Sequence, residues 1–289
     1  IVTKPASLIQ KRLYIETVIN DLDPYDLVSA FSITKKIDEK KLEDVMNEII
    51  QRHETLRTSF AEENNEIVMK IHPSCKIKIK HMESSEKREK LIQDSITKFD
   101  ISKAPLVEVI IVKHGDEDIL ILHCHHIVAD GMSMNTFTQE FISLYKGEKL
   151  PEIKKQYSEY VDYEKNIMTD EWIRNRREYW LNELHDCSTR ILLPYDNNIV
   201  GASRRGSTYV GYINEDLTDQ LKKTSLKQGA SLFMILLSVM DVVIHKVSGK
   251  DDFAIATPVT TRFAGGFEES IGMFANTMAL ACHIKEDES

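Results

Sequence analysis

An apolar run, Ile119-Leu120-Ile121-Leu122, leads into His123-Cys124-His125-His126 and then, past Ile127-Val128-Ala129, into Asp130-Gly131. Histidine is the side chain that exchanges a proton near neutrality, with an unperturbed pKa of about 6.5. On a strand successive side chains face opposite sides, so His123 and His125 share one face while Cys124 and His126 share the other. A single strand histidine ordinarily serves packing and hydrogen bonding. Several at the end of an apolar strand, followed by Asp-Gly, point to proton chemistry. Asp130 can hold the loop and orient a ring if it has a cationic or N–H partner of its own, and Gly131 permits backbone torsions closed to other residues. Zinc is the rival use of such a cluster. Strand alternation throws adjacent ligands to opposite faces, and the spacing is not that of a structural zinc site, so no metal is expected. Nothing marks the Cys124 thiolate as stabilised, and a lone buried Cys behaves as a small hydrophobe.

The elements around this segment are legible from periodicity. Ser7–Ile19 has helical spacing, and Leu27–Ile33 reads as a strand. Asp38–Arg52 is an amphipathic helix with Leu42, Val45, Met46, Ile49 and Ile50 on one face and Asp38 as its N-cap. Strands are expected at Thr55–Phe60, Glu66–Ile71 and Lys76–His81, the last alternating Lys with Ile as for a sheet with one wet face. Ser84 or Ser85 is the expected cap of a helix reaching Phe99. Strands Leu106–Val112 and Asp118–Cys124 follow, joined by Gly115-Asp116 as a hairpin. A helix from Ser133 to Tyr145 ends at Gly147, with Pro151 beyond. Tyr157–Leu184 is helical with a break near Thr169, and Cys187–Arg205 is a connector. Thr208–Ile213 is an expected strand, Asn214 caps a helix ending near Gly229, and Ser231 caps a buried helix to Val247. Phe253–Thr257 and Thr277–Ile284 complete the strands.

The sequence has 289 residues, 42% of them hydrophobic and 29% charged, enough for one large domain or two lobes. The order of elements predicts an α/β (α+β) protein of two lobes with mixed sheets flanked by helices, joined near 170–205. Residues 1–170 form the N-terminal lobe, and 171–289 a linker and part of a C-terminal lobe. A net charge of −9 without a basic block argues against a nucleic-acid partner. No apolar stretch reaches the length of a membrane span. The N-terminus has no apolar signal core and no initiator Met, as expected for a piece of a longer protein. The four cysteines are widely separated, which suits a reducing cytoplasm rather than a disulfide framework. No Gly-rich phosphate loop is present, so neither ATP nor nicotinamide chemistry is implied.

His125-His126-Ile127-Val128-Ala129-Asp130-Gly131 resembles the His-His-x-x-x-Asp-Gly signature of the condensation domains of nonribosomal peptide synthetases, within the chloramphenicol acetyltransferase-like superfamily. Further motifs follow the family's order. Ser7-Leu8-Ile9-Gln10-Lys11-Arg12-Leu13-Tyr14 resembles the opening motif, with Ile9 where Ala is usual. Arg52-His53-Glu54-Thr55-Leu56-Arg57-Thr58-Ser59-Phe60 matches the second closely. Tyr157–Tyr163 resembles the Tyr-x-Asp-Tyr region, and Ile271-Gly272-Met273-Phe274-Ala275-Asn276-Thr277 the Ile-Gly-x-Phe-Val-Asn-Thr motif, with Ala275 replacing Val. The family's later motifs are absent, so the resemblance implies two acetyltransferase-like lobes with the second incomplete.

The resemblance implies amide-bond formation between a donor thioester and an acceptor amine. Both ride on phosphopantetheine arms of upstream and downstream peptidyl carrier proteins, beside an adenylation domain, and the domain itself binds no cofactor. It implies His126 as the catalytic ring, either as general base or by orienting the amine. His125 faces away and is structural. Asp130 pairs with an arginine, with Arg57 favoured and Arg262 the alternative, and the Gly131 N–H helps the oxyanion. Ser133, Asn276 and Thr277 are expected tunnel-lining residues. The run from His126 to Met134 resembles the subtype joining an L-donor to an L-acceptor. Two other readings remain in view. An epimerization domain shares the His-His motif, but the close match at Arg52–Phe60 and Asn276-Thr277 argues against it. A non-catalytic module would only dock carriers, with Arg174, Arg176 and Arg177 or Lys87, Arg88 and Lys90 as basic patches.

Overall fold

The computed structural model describes residues 1–18, 26–33, 37–115, 117–188, 191, 194 and 208–285. They fall into two units, residues 1–172 with 258–276 and residues 173–257 with 277–289. In chain order the first unit holds β1 (Val2–Pro5), α1 (Leu8–Val18), β2 (Asp26–Ile33), α2 (Glu39–Arg52), a 3-10 turn (Glu54–Arg57), β3 (Thr58–Glu63), β4 (Glu66–Ile71), β5 (Lys80–Glu83), α3 (Arg88–Ser95), β6 (Val107–His114), β7 (Glu117–His125), α4 (Gly131–Lys146) and α5 (Tyr157–Ile167). After α5 come α6 (Asp170–Glu183), α7 (Glu215–Lys227), α8 (Leu232–Ser248), β8 (Asp252–Thr260), a 3-10 turn (Arg262–Ala264) and β9 (Ala275–His283). Residues 258–276, which the sequence assigns to the later lobe, belong to the first unit.

The first unit is built on a four-stranded sheet in the order β2-β7-β6-β5 and a three-stranded sheet in the order β1-β4-β3. Among the described residues only the β5–β6 pair of this sheet is parallel; β2, β6 and β7 pair antiparallel. The larger sheet is covered on both faces, which is why β6 and β7 read as nearly continuous apolar runs. Val107, Val109, Ile111, Leu122 and Cys124 join the main core, to which α2 brings Leu42, Val45, Met46, Ile49 and Ile50 and α4 brings Phe137. Ile110, Val112, Ile119 and Ile121 face the other way and pack with Leu91 of α3. The pleat therefore carries His123 and His125 on the side of Ile119 and Ile121.

Helix ends follow their caps. The Asp38 carboxylate accepts from the Lys41 N–H at 3.0 Å, and α4 ends at Gly147, whose φ of 86° lies in the left-handed region that glycine tolerates. The break near Thr169 is real, because the Thr169 hydroxyl accepts the Trp172 N–H at 3.2 Å and starts α6. Asn214 and Ser231 cap α7 and α8.

Several expectations are corrected. Residues Glu54–Arg57 are a 3-10 turn rather than the start of a strand. Lys76–Ile79 is not strand; the Ile77 N–H is taken by the Asn47 side chain at 2.8 Å, and pairing with β6 begins only at Lys80. Neither Ser84 nor Ser85 caps a helix reaching Phe99. The Ser84 hydroxyl accepts from Glu86 N–H, and α3 is confined to Arg88–Ser95. Thr208–Ile213 forms no strand, having no ladder partner among the described residues. The helix read as buried, α8, has no buried residue, and Phe233 and Met240 are each more than half exposed. Most of Cys187–Arg205, and Asp116 of the β6–β7 hairpin, lie outside the described residues.

In the second unit β8 pairs with β9. Among the described residues no single helix is long and apolar enough to cross a membrane, although α7 and α8 together pass that length test with a 104° bend between them.

The core assignment carries a stability prediction. Ile49, fully buried on α2, should lose about 2–5 kcal/mol on Ile49→Ala. Leu226→Ala, at a site 82% exposed, should stay within about 0.5 kcal/mol. Denaturant midpoints check both, and equal losses would place Ile49 outside the core.

Candidate active site

Residues 121–130 are buried throughout except His126. His125 is the last residue of β7, and residues 126–128 form a turn. Ile127 is held on both sides. Its N–H donates to His125 Nδ1 at 3.0 Å, and its carbonyl accepts from Gln10 Nε2 at 3.0 Å. Val128 N–H closes the turn on the His125 carbonyl at 3.2 Å. His125 must be neutral at Nδ1 to accept, and burial pushes its pKa down to about 4, which keeps it so. His126 Nδ1 is buried without a hydrogen-bond partner among the described residues.

Asp130 ends the loop and starts the next helix. It is the N-cap of α4, its carboxylate accepting the Ser133 N–H at 2.7 Å. The same carboxylate meets Arg262 Nη2 at 2.9 Å, with the two side chains 2% and 1% exposed. Its second oxygen accepts the Phe274 N–H at 3.1 Å. Arg262 also donates to Ser133 Oγ at 2.8 Å and to the carbonyl of Ser270, and its guanidinium carbon lies 4.2 Å from the centre of the Phe274 ring. Burial pulls the Arg262 pKa down while Asp130 pulls it up; the guanidinium stays charged opposite its carboxylate. Arg57, the favoured partner in the sequence, is not the one. Its guanidinium donates to the His72 carbonyl, because the 3-10 turn aims it there.

Two further corrections concern neighbours of Asp130. Ser133 was expected to line a tunnel, but it is fully buried, its hydroxyl bridging Asp130, Arg262, the Gly272 carbonyl at 2.8 Å and the Gly272 N–H at 3.0 Å. Gly131 needs no special torsion, since it begins a regular helix, and a Cβ there would meet nothing within 4 Å. Asn276 lines an open cavity of about 520 Å³ with Arg12, Tyr160, Trp172, Thr261 and Phe274. Thr277 is the next residue of β9 and falls in the second unit.

The segment 270–274 is anchored from the other motifs. His53, fully buried, lies 2.9 Å from Glu140 through Nε2 and accepts the Ile271 N–H at Nδ1, 3.4 Å away. Arg52 meets the same Glu140 at 3.0 Å, and Thr55 Oγ1 donates to the Ile271 carbonyl at 2.9 Å. Tyr157 donates to the Met273 carbonyl at 2.7 Å, and the Tyr157 ring leaves no room for a Cβ at Gly272. The sequence marked these positions as motif without assigning them a contact, since each partner lies on a distant segment.

His123 was also missed as a charge centre. Its Nε2 lies 3.0 Å from Asp26 and its Nδ1 3.8 Å from Glu108, in ion-pair range though not aligned as hydrogen bonds. Glu108 is opposite His123 across β6–β7, and Asp26 is opposite His125 across β2–β7. Burial works against the charged ring, but Asp26 and Glu108 outweigh it and raise the pKa to about 9. Cys124, wholly enclosed, has its thiol pushed up to about 12 and is no nucleophile at neutral pH.

The fold is that of condensation domains. A four-domain nonribosomal peptide synthetase bound to AMP and glycine superposes with a TM-score of 0.86 at 20% identity, over 100% of this chain and 23% of that one. The first condensation domain of the calcium-dependent antibiotic synthetase, in complex with a substrate analogue, superposes with a TM-score of 0.78 at 18% identity, over 100% of this chain and 72% of that one. At the sequence level residues 2–289 match the Condensation domain family, and the chain belongs to it. It is 33% identical to gramicidin S synthase 2 of Brevibacillus brevis over 99% of this chain and 6% of the relative. It is 32% identical to bacitracin synthase 3 of Bacillus licheniformis over 97% of this chain and 4% of the relative. The chain thus spans only a small fraction of the length of these relatives.

Asp130→Ala or Arg262→Ala alone should cost about 3–5 kcal/mol, because each leaves a buried charge unpaired. Asp130→Asn with Arg262→Met should cost less than the sum of its single changes; additive losses in a denaturant double-mutant cycle would show the pair uncoupled. His123 gives a pH signature. Its pKa is raised on folding, so its contribution is complete below about pH 6.5 and is lost as the pH climbs through 9. The loss is on the order of 3 kcal/mol, and His123→Gln should flatten that limb of the stability–pH curve. A variant keeping the wild-type slope would assign it to other groups.

Proposed function

We propose that this chain forms amide bonds between carrier-tethered substrates in nonribosomal peptide synthesis. The amino nitrogen of an acceptor aminoacyl thioester attacks the carbonyl carbon of a donor acyl or peptidyl thioester. The C–N bond forms, the C–S bond breaks, and the proton lost by the amine ends on the departing thiol. Both substrates ride on phosphopantetheine arms of upstream and downstream peptidyl carrier proteins, with an adenylation domain as neighbour in the same assembly. The domain itself contributes no cofactor, and the reaction takes place in the cytoplasm. Residues 1–170 supply the histidine motif, residues 258–276 join the same unit, and the rest of 171–289 is linker and second-lobe sequence. Membership of the family, and relatives named as gramicidin S and bacitracin synthases, support this reading.

The observation that carries it is one half-buried residue in a sealed stretch. His126 alone breaks the burial of residues 121–130, four positions before Asp130, whose buried pair with Arg262 ends the loop where the next helix begins. With Nδ1 buried, the ring nitrogen left to meet substrate is Nε2. It accepts a hydrogen bond from the acceptor amine and takes its proton as the C–N bond forms, help worth about 10²–10⁴-fold. Holding the two ends together contributes more, since well-oriented pairs reach effective molarities of about 10⁵ M or above. Neutral His125 and charged Asp130 act through the backbone and are positioning groups. Gly131 is the first residue of α4, where the N–H has no intrahelical acceptor, and that N–H is the donor offered to a developing oxyanion. Asn276 and Thr277 border the substrate path.

The assay loads donor and acceptor carriers, adds the parent protein and follows acceptor-bound product by intact mass. His126→Ala, folded by circular dichroism, should lose product formation by about 10²-fold or more. Wild-type turnover in that variant would take His126 out of the chemistry, and an epimerised aminoacyl group without condensed product would reassign the domain.

A further inference from the structure

We infer that Gln10 is a positioning residue for His126, acting through the carbonyl of Ile127; the inference rests on the reading of His126 as the reacting ring. The His126 side chain has no hydrogen-bond partner at Nδ1 among the described residues, so its placement rests on the backbone turn that carries it. That turn is pinned at Ile127 from two directions. His125 holds the N–H from within the motif, and Gln10 holds the carbonyl from a helix more than a hundred residues away in sequence.

Gln10 is fully buried, and its amide has one possible orientation. The Ser7 N–H donates to Oε1 at 3.1 Å, which leaves the Nε2 amide protons to face the Ile127 carbonyl. Ser7 returns the interaction, its hydroxyl accepting the Gln10 N–H at 3.2 Å. Its remaining contact is Tyr157 Oη at 2.9 Å. Tyr157 spends its only proton on the Met273 carbonyl, so Ser7 is the donor to Tyr157. A continuous chain of hydrogen bonds therefore runs from Met273 through Tyr157, Ser7 and Gln10 to the residue beside His126. Asp130 binds the neighbouring Phe274 N–H from the far side of the same loop. The segment 272–274 and the histidine turn are held in register by two routes, one ionic and one neutral.

The neutral route makes the amide group of Gln10 the specific requirement, beyond its volume. Gln10→Glu keeps the acceptor for Ser7 and loses the donor to Ile127, while Gln10→Met keeps the length and loses both. In the full parent protein, with carriers preloaded, two readouts separate positioning from folding. The first is the single-turnover rate of product formation across pH, with the carrier concentration at half-saturation. The second is the rate at which diethyl pyrocarbonate modifies His126, read by peptide mapping against the exposed His185, which reports the ring's setting whether or not it does chemistry.

For both variants we expect a turnover rate about tenfold to a hundredfold lower with half-saturation unchanged, and a changed His126 modification rate. Gln10→Glu should regain rate as the pH falls, because a protonated carboxyl again offers a donor to the Ile127 carbonyl; Gln10→Met should not. An unchanged His126 modification rate, or full turnover in both variants, would overturn the proposal. His126→Ala run alongside tells which statement has failed. If that variant is itself fully active, the fault lies in the reading of His126. If it is inactive while the Gln10 variants are not, the fault lies with Gln10.

Discussion

The structure around the histidine loop depends on one buried ion pair. Asp130 and Arg262 are both almost wholly removed from water, and each charge alone would carry a desolvation cost of several kcal/mol. Their contact cancels the net charge, and most of the remaining capacity is used, Arg262 Nε being without a partner among the described residues. Asp130 accepts two backbone N–H groups and the Ser133 hydroxyl lies against it, while Arg262 reaches carbonyls of the 262–270 segment and the Phe274 ring. Because those groups belong to α4, to a turn after β8 and to the strand entering β9, the pair fastens distant parts of the first unit to the residue that ends the histidine loop. A defect there is a defect in folding first, so loss of activity at Asp130 is not by itself a sign of catalysis.

Around this pair the histidines divide their duties by protonation. His123, between Asp26 and Glu108, is held charged; His125, equally buried but accepting an N–H, is held neutral. His53 is pulled toward neutrality by burial against the pull of Glu140. Two residues apart on one strand, the rings thus differ in charge because carboxylates of β2 and β6 reach His123 while the Ile127 N–H of the following turn meets His125. The only histidine of this stretch left partly open is the one outside the strand ladder.

The scaffold follows from ordinary pattern physics. The α2 face of Leu42, Val45, Met46, Ile49 and Ile50 is buried as its period requires, and Asp38, Asn214 and Ser231 cap their helices as their side chains allow. Short or exposed elements were less legible. The alternation of Lys76–Lys80 suited a strand, but a strand also needs a partner, and β6 reaches it only from Lys80. The apolar composition of α8 suggested burial, but burial is a property of neighbours, and the described residues leave every residue of α8 at least partly exposed.

The sequence by itself determined which residues could do chemistry here: a histidine run at a strand end, the Asp-Gly after it, and the order of motifs that marks the family. Alternation along β7 also determined that His123 and His125 share a face. The tertiary structure decided who partners whom. Arg57 and Arg262 are equally good cations on paper, and only the path of the 3-10 turns sends one to a backbone carbonyl and the other to Asp130. Ser133 and Gly131 are close neighbours in sequence, yet one hydroxyl is sealed in a network and the other Cα stands open. Gln10 reaches Ile127 across 117 positions of sequence. Local pattern sets torsion and face, whereas hydrogen-bond partners and desolvation depend on segments that meet only once the chain has folded.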